Sequence, residues 1–195
     1  MVEIELKAWL DNHVPIIERL VTVGTYVRSY EKTDSYWMAE EHFGGDIPDS
    51  GIRVRREKAV DAEKRESRRA LVTMKRKSLS GNIEVNGERE FAVSDAMLFE
   101  QMLGELGLSR VMQKEKQGWE WAVQTDIAGP GTITAEVSMV KDLGWFLELE
   151  ILAEEGEELV GESRQALYAL LERLNVAQEK VESRSYAALL RERRN

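Results

Sequence analysis

The feature that most constrains this chain is a repeated pairing of like charges two residues apart, with apolar residues between them. The N-terminal stretch VEIELK sets Glu3, Glu5 and Lys7 against Val2, Ile4 and Leu6. Period two marks a strand, whose successive side chains point to opposite faces. The form returns in Arg53 and Arg55 around Val54, in Lys75 and Lys77, in Glu88 and Glu90, in Lys114 and Lys116, and in Glu148 and Glu150 around Leu149. Like charges on one strand face repel, and such pairs have no folding benefit of their own. One pair alone reads as a solvated face. Recurring on at least six strands, the pairs read as one shared charged face. If the strands close into a barrel, alternation collects those faces inside. The interior would then hold roughly seven cations (Lys7, Arg53, Arg55, Lys75, Lys77, Lys114, Lys116) and at least four carboxylates. Unpaired buried charge is prohibitive, so such an interior must be wet and filled by a ligand of opposite charge.

The rest of the chain is consistent with that closure. Asp11 is expected to cap a helix carrying Val14, Ile17, Leu20 and Val21. Residues 32–37, 51–56, 71–77 and 86–93 read as strands, the last entered through an Asn86-Gly87 turn. Between them, 42–51 is a Gly- and Pro-rich loop and 57–70 a charged connection, read as a mobile hairpin. A helix capped by Ser94 runs to Gly107. Residues 109–123 suggest two strands turning at Gln117-Gly118, and 132–140 pairs with 145–152 as a hairpin. Two helices follow, over 158–174 and near 183–193. The fold class is α+β: an antiparallel closed β-barrel, or tunnel, of about eight strands with flanking helices, in a single domain over 1–195.

Composition narrows the function. No run approaches the roughly 18 apolar residues that cross a membrane, and the N-terminus has no signal-peptide pattern. With no cysteine there is neither a disulfide nor a thiolate metal site, which fits a cytoplasmic protein. A formal net charge of −9 argues against a nonspecific nucleic-acid partner. His13 and His42 have no metal-ligand spacing, so any metal is held mainly by carboxylates, which favours Mg²⁺ or Mn²⁺.

Arg and Lys converging from several strands suit a chain of phosphates. Glu3, Glu5, Glu148 and Glu150 lie on the first and one of the last strands, which closure brings together. Four carboxylate arms can hold one or two divalent cations that bridge phosphate oxygens. The expected ligand is a triphosphate-containing small molecule together with its metal.

These residues also resemble a known family. EIELK (3–7) is similar to the ExExK signature of the CYTH superfamily, the triphosphate tunnel metalloenzymes, which include class IV adenylate cyclases, thiamine triphosphatases and inorganic triphosphatases. KTDSYW resembles the family's Asp-x-Tyr strand, IRVR its Arg-x-Arg strand and VTMKRK its Thr-x-Lys strand. EREF resembles the Glu-x-Glu step, and KEK stands where the family has Lys-x-Arg. DLGWFLELE is close to LGxFxExE, and RSYAALL resembles a C-terminal Lys-Ser-Tyr segment in which Arg184 replaces the lysine. The resemblance implies metal ligation by Glu3, Glu5, Glu148 and Glu150. Glu136 joins them as a candidate, because Ser138 stands where the family often has an acid. It implies substrate binding by Lys7, Arg53, Arg55, Lys75, Lys77, Glu88, Glu90, Lys114, Lys116 and Arg184. Glu5, Glu148 and Lys7 are the candidate catalytic residues.

Two reactions share that machinery: hydrolysis of an inorganic or organic triphosphate, and cyclisation of ATP to cyclic AMP and pyrophosphate. They differ in which phosphorus faces the nucleophile. A non-catalytic polyphosphate-binding module is a third reading, disfavoured because metal-binding carboxylates would weaken simple anion binding. Oligomeric state is open.

Overall fold

The computed structural model describes residues 2–39, 51–80, 83–125, 131–153 and 157–193, with the backbone alone at 2, 75–80, 83–88 and 157–158. These residues form eight β-strands and four α-helices, an α+β arrangement. β1 (Val2–Leu10) leads to α1 (Val14–Val23). A run of strands follows: β2 (Thr25–Met38), β3 (Ile52–Asp61), β4 (Glu66–Ser80) and β5 (Ile83–Val93). α2 (Ala96–Glu105) precedes β6 (Ser109–Gln124), β7 (Thr132–Val140) and β8 (Gly144–Ala153). The C-terminal part holds α3 (Glu157–Arg173), a 3₁₀ turn (Gln178–Lys180) and α4 (Tyr186–Glu192). All ladders are antiparallel. Their order is β1-β5-β4-β3-β2-β6-β7-β8, and β1 bonds both β5 and β8, which closes the barrel. The β1–β5 seam is short, with Glu3, Ile4 and Glu5 opposite Asn86, Val85 and Glu84.

Alternation decides which face each residue takes. Ile4, Leu6 and Ala8 of β1, Ile133, Ala135 and Val137 of β7, and Leu147, Leu149 and Ile151 of β8 form one buried apolar cluster. Ile16 and Leu20 of α1 and Ala166, Leu167, Leu170 and Leu171 of α3 complete it. Each such leucine or isoleucine contributes about 1.5–3 kcal/mol through burial. The hydrophobic core therefore lies outside the strands, beneath the helices, and the charged residues of β1, β7 and β8 take the opposite, inner face. α2 sets Ala96 and Leu103 against Val54 and Val72. α4 brings Ala187, Leu189 and Leu190 against Met38, Met112 and Phe146.

Several expected boundaries are corrected. α1 is capped by His13, with Asn12 Oδ1 accepting the Val14 N–H at 3.0 Å, while Asp11 pairs with Lys180. α2 is capped by Asp95, whose side chain accepts from the Met97 and Leu98 N–H groups, not by Ser94. The 57–70 connection is a hairpin, as expected, but its arms belong to the end of β3 and the start of β4, paired from Arg56↔Ala70 to Val60↔Glu66. Asn86 and Gly87 sit within the β4–β5 ladder opposite Lys77 and Arg76 and make no turn. Residues 109–123 are one strand, not two. Gly118 is inside it because a Cβ there would lie 2.3 Å from the Val137 carbonyl oxygen, so only glycine admits the neighbouring strand. The 132–140/145–152 hairpin is as expected, its turn using left-handed backbone at Asp142 (φ 67). The 42–51 loop, with His42, lies outside the described residues except for Gly51.

Candidate active site

The inner face encloses a cavity of about 350 Å³. Eleven of the expected site residues line it: Glu3, Glu5, Lys7, Arg53, Arg55, Glu90, Lys114, Lys116, Glu136, Glu148 and Glu150. They come from β1, β3, β5, β6, β7 and β8, so the like-charged pairs converge on one hollow. The side chains of Lys75, Lys77 and Glu88 lie outside the described residues; their backbones pair in the β4–β5 ladder. Arg184 is not among the lining residues. It is half exposed and bonds Glu182 at 2.7 Å and Glu192 at 2.8 Å, because the bend before α4 turns it outward. Tyr186, two residues on, enters the cavity in its place.

The structure adds residues that the sequence reading missed. Arg28, Lys32 and Tyr36 continue the period-two face of β2, Glu57 that of β3, Arg69 and Thr73 that of β4, Glu120 that of β6 and Thr134 that of β7. The signal was the same alternation: Arg28, Glu57 and Arg69 lay beyond strands drawn too short, while Lys32, Tyr36, Thr73, Glu120 and Thr134 lay inside strands already read and were not singled out.

Four ionic groupings organise the lining. In the first, Asp34 has no exposed surface and holds Arg55 through two bonds of 2.7 and 2.9 Å, with Lys114 at 3.1 Å. Burial would raise the Asp34 pKa, but Arg55 and Lys114 outweigh it and hold the carboxyl well below its usual range. In the second, Lys116 lies between Glu136 and Glu148. Lys32 and the Tyr30 hydroxyl also donate to Glu136, and the Tyr186 hydroxyl donates to Glu148 at 2.7 Å. Burial works against both glutamates' charges, and Lys116 reverses that, so both titrate below the ordinary range. Burial, with the charge of Glu148, pushes the Tyr186 hydroxyl up, so it stays a proton donor. In the third, Glu57 accepts from Arg28 and Arg69, each at 2.7 Å, and Arg28 also bonds Glu120. In the fourth, Arg53 donates to Thr73, which donates to Glu90 at 2.8 Å.

Two properties follow. Among the described residues, eight cations (Lys7, Arg28, Lys32, Arg53, Arg55, Arg69, Lys114, Lys116) and eight glutamates (Glu3, Glu5, Glu57, Glu90, Glu120, Glu136, Glu148, Glu150) line the cavity. This lining is thus balanced, and a polyanion entering it gains most if it brings positive charge along. Secondly, the carboxylates are set in like pairs: Glu5 opposite Glu150, Glu136 opposite Glu148, and Glu120 opposite Glu136. Directly opposed like charges are destabilising without a cation nearby. Glu3, Glu5, Glu136, Glu148 and Glu150 are all hard oxygen donors from β1, β7 and β8, and as a set they fit Mg²⁺ or Mn²⁺. No three such groups among the described residues already converge on a metal position. Among the described residues, no helix is long and apolar enough to cross a membrane.

The chain belongs to the CYTH domain family, which matches residues 1–186. No curated protein matches it. Among solved structures it is similar to the PH1819 protein from Pyrococcus horikoshii OT3: 23% identity, 98% of this chain and 99% of that one covered, TM-score 0.77. It is also similar to a proposed adenylate cyclase from Vibrio parahaemolyticus, at 15% identity, 98% of each chain covered and TM-score 0.74. A third likeness is to an adenylyl cyclase candidate from Hippeastrum, described as having a dominant triphosphatase activity. That match has 14% identity, covers 98% of this chain and 95% of that one, and has a TM-score of 0.63.

Proposed function

We propose that this chain is a divalent-metal-dependent phosphohydrolase that takes a triphosphate into its lumen and releases the terminal phosphate. The observation that carries the reading is the single cavity in which Arg53, Arg55, Lys114 and Lys116 face Glu3, Glu5, Glu148 and Glu150. Membership of a family of triphosphate-processing enzymes supports it. Arg53, Arg55 and Lys114 grip phosphate oxygens, Arg55 and Lys114 being held in position by Asp34. Lys7 stands beside Glu148, its partner across the β1–β8 ladder. Glu3, Glu5, Glu148 and Glu150, with Glu136 as a further arm, would hold Mg²⁺ or Mn²⁺, which would neutralise charge on the phosphate oxygens. A carboxylate among these, Glu5 or Glu148, orients water against the terminal phosphorus and receives its proton as the bridging P–O bond breaks. The cations stabilise the charge that develops on the leaving phosphate.

Hydrolysis is favoured over ATP cyclisation because the described lining gives an adenine ring little to rest on. Leu71 and Ala187 are its main apolar side chains, the Tyr36 ring is its one further aromatic face, and the Tyr186 ring already has Lys7 and Lys114 at 4.8 and 4.9 Å from its centroid. The test is a product assay with tripolyphosphate, thiamine triphosphate and ATP in Mg²⁺ or Mn²⁺. Phosphate release is expected, abolished in Glu148→Gln with the fold retained. Cyclic AMP with pyrophosphate from ATP, and no phosphate from tripolyphosphate, would select the cyclase instead. Binding without turnover of any substrate would leave a binding module.

A further inference from the structure

A lysine organises the metal-side carboxylates. Lys116 Nζ lies 2.6 Å from Glu136 Oε2 and 2.5 Å from Glu148 Oε1, and Lys116 is 6% exposed. Glu136 and Glu148 face each other directly across the β7–β8 ladder, where two charged carboxylates repel unless a cation sits between them. Lys116 is that cation. The same two carboxylates have further donors: Tyr30 on Glu136 Oε2 and Tyr186 on Glu148 Oε1, the oxygens that Lys116 holds, and Lys32 on the other Glu136 oxygen, Oε1. A divalent ion bridging Glu136 and Glu148 would share their oxygens with an ammonium, putting three positive charges into one buried spot. Metal and Lys116 therefore exclude each other there.

We propose that Lys116 is a resident counter-ion that exchanges places with the metal. It neutralises Glu136 and Glu148 while the lumen is without substrate, and turns to a phosphate oxygen when a divalent cation takes its position. The inference rests on the triphosphate reading above. Lys116 lines the same cavity as Arg55 and Lys114, so its flexible four-carbon stem serves either partner. The metal gains the carboxylates only when the lysine has another anion to pair with, and the substrate gains the lysine only when the metal has released it. The two affinities are coupled, and by linkage each ligand strengthens the other by the same factor. Lys116 thus makes the protein select the metal complex of its substrate over either component.

The experiment compares wild type with Lys116→Met and Lys116→Arg. Mn²⁺ binding is followed by electron paramagnetic resonance of the free ion with no phosphate present, and binding of a non-hydrolysable imido analogue of tripolyphosphate by calorimetry with Mn²⁺ present. Lys116→Met is expected to bind Mn²⁺ about tenfold more tightly than wild type, a typical size for site coupling. It is also expected to bind the imidotriphosphate analogue more weakly in Mn²⁺, having lost the lysine's phosphate contact. Lys116→Arg keeps a cation between the glutamates and is expected to bind Mn²⁺ as weakly as wild type. Unchanged or weaker Mn²⁺ binding by Lys116→Met would overturn the exchange. If that variant is too unstable without metal, the readout is the rise in Tm on adding Mn²⁺. A larger rise than in wild type supports the proposal, and an equal or smaller one overturns it. Wild-type protein that binds no imidotriphosphate analogue even in Mn²⁺ would overturn the underlying reading, and the exchange with it, whatever the Mn²⁺ comparison shows.

Discussion

Asp34 shows how single residues hold this lumen together. It is fully buried, and its two oxygens fix Arg55 and Lys114. Removing one partner of a buried ionic group costs about 3–5 kcal/mol, because the others are left uncompensated. Asp34→Asn is therefore expected to lower Tm clearly and to weaken tripolyphosphate binding at least ~tenfold, since two gripping cations lose their alignment. A variant with wild-type Tm and affinity would remove Asp34 from this role. Arg53, by contrast, rests on Thr73 and the more exposed Glu90. Arg53→Ala is expected to raise KM more than it lowers Tm, and unchanged KM would take Arg53 out of the site. Glu182 adds a pH signature. It accepts from the Arg184 side chain and backbone and from the Trp9 indole, which tie the segment before α4 to β1. The Arg184 bonds chiefly pull its pKa from 4.5 down to about 2. A depressed carboxyl stabilises the fold above its unfolded pKa and loses that contribution as pH falls. The stability difference between wild type and Glu182→Gln is thus expected to be full above pH 4.5 and to vanish toward pH 2. A difference that persists at pH 2 would contradict this assignment.

At the scale of the element, β6 is the instructive case. Its Gln117-Gly118 pair reads as a hairpin turn, since glycine favours turns. The strand runs straight through because the β7 backbone needs the space that a side chain at 118 would fill. Gly118→Ala is expected to cost about 3 kcal/mol by overpacking, or roughly 6–12 °C in Tm for a domain of this size. A thermal denaturation curve superimposable on that of wild type would refute the close-approach explanation. The charged faces of β1, β3, β6 and β8 were legible because the pleat imposes period two whatever surrounds the strand. Strand ends were not, because they depend on partners far along the chain. Reading β2 from residue 32 hid Arg28, and reading 57–70 as a charged connecting hairpin outside the strands hid Glu57 and Arg69, although all three sit in the lumen. Asp34 was visible in the Asp-x-Tyr stretch, but its grip on Arg55 exists only once β2 and β3 pair. Arg184 matched a motif, yet what it touches is set by the bend before α4 and not by the motif.

The whole molecule inverts the usual arrangement: its apolar core lies between strands and helices, and its ionic residues face one another within the barrel. Such an interior needs water or a ligand, and its balanced charge suits a polyanion that arrives with a metal. The central claim is that this hollow holds a triphosphate. It is tested most directly by a crystal structure of the protein with tripolyphosphate and Mn²⁺, using Glu148→Gln to prevent turnover. Phosphate oxygens are expected within hydrogen-bonding reach of Arg53, Arg55 and Lys114, and Mn²⁺ beside Glu3, Glu5 and Glu150. Tripolyphosphate bound on the outer surface, with only water inside the barrel, would contradict it.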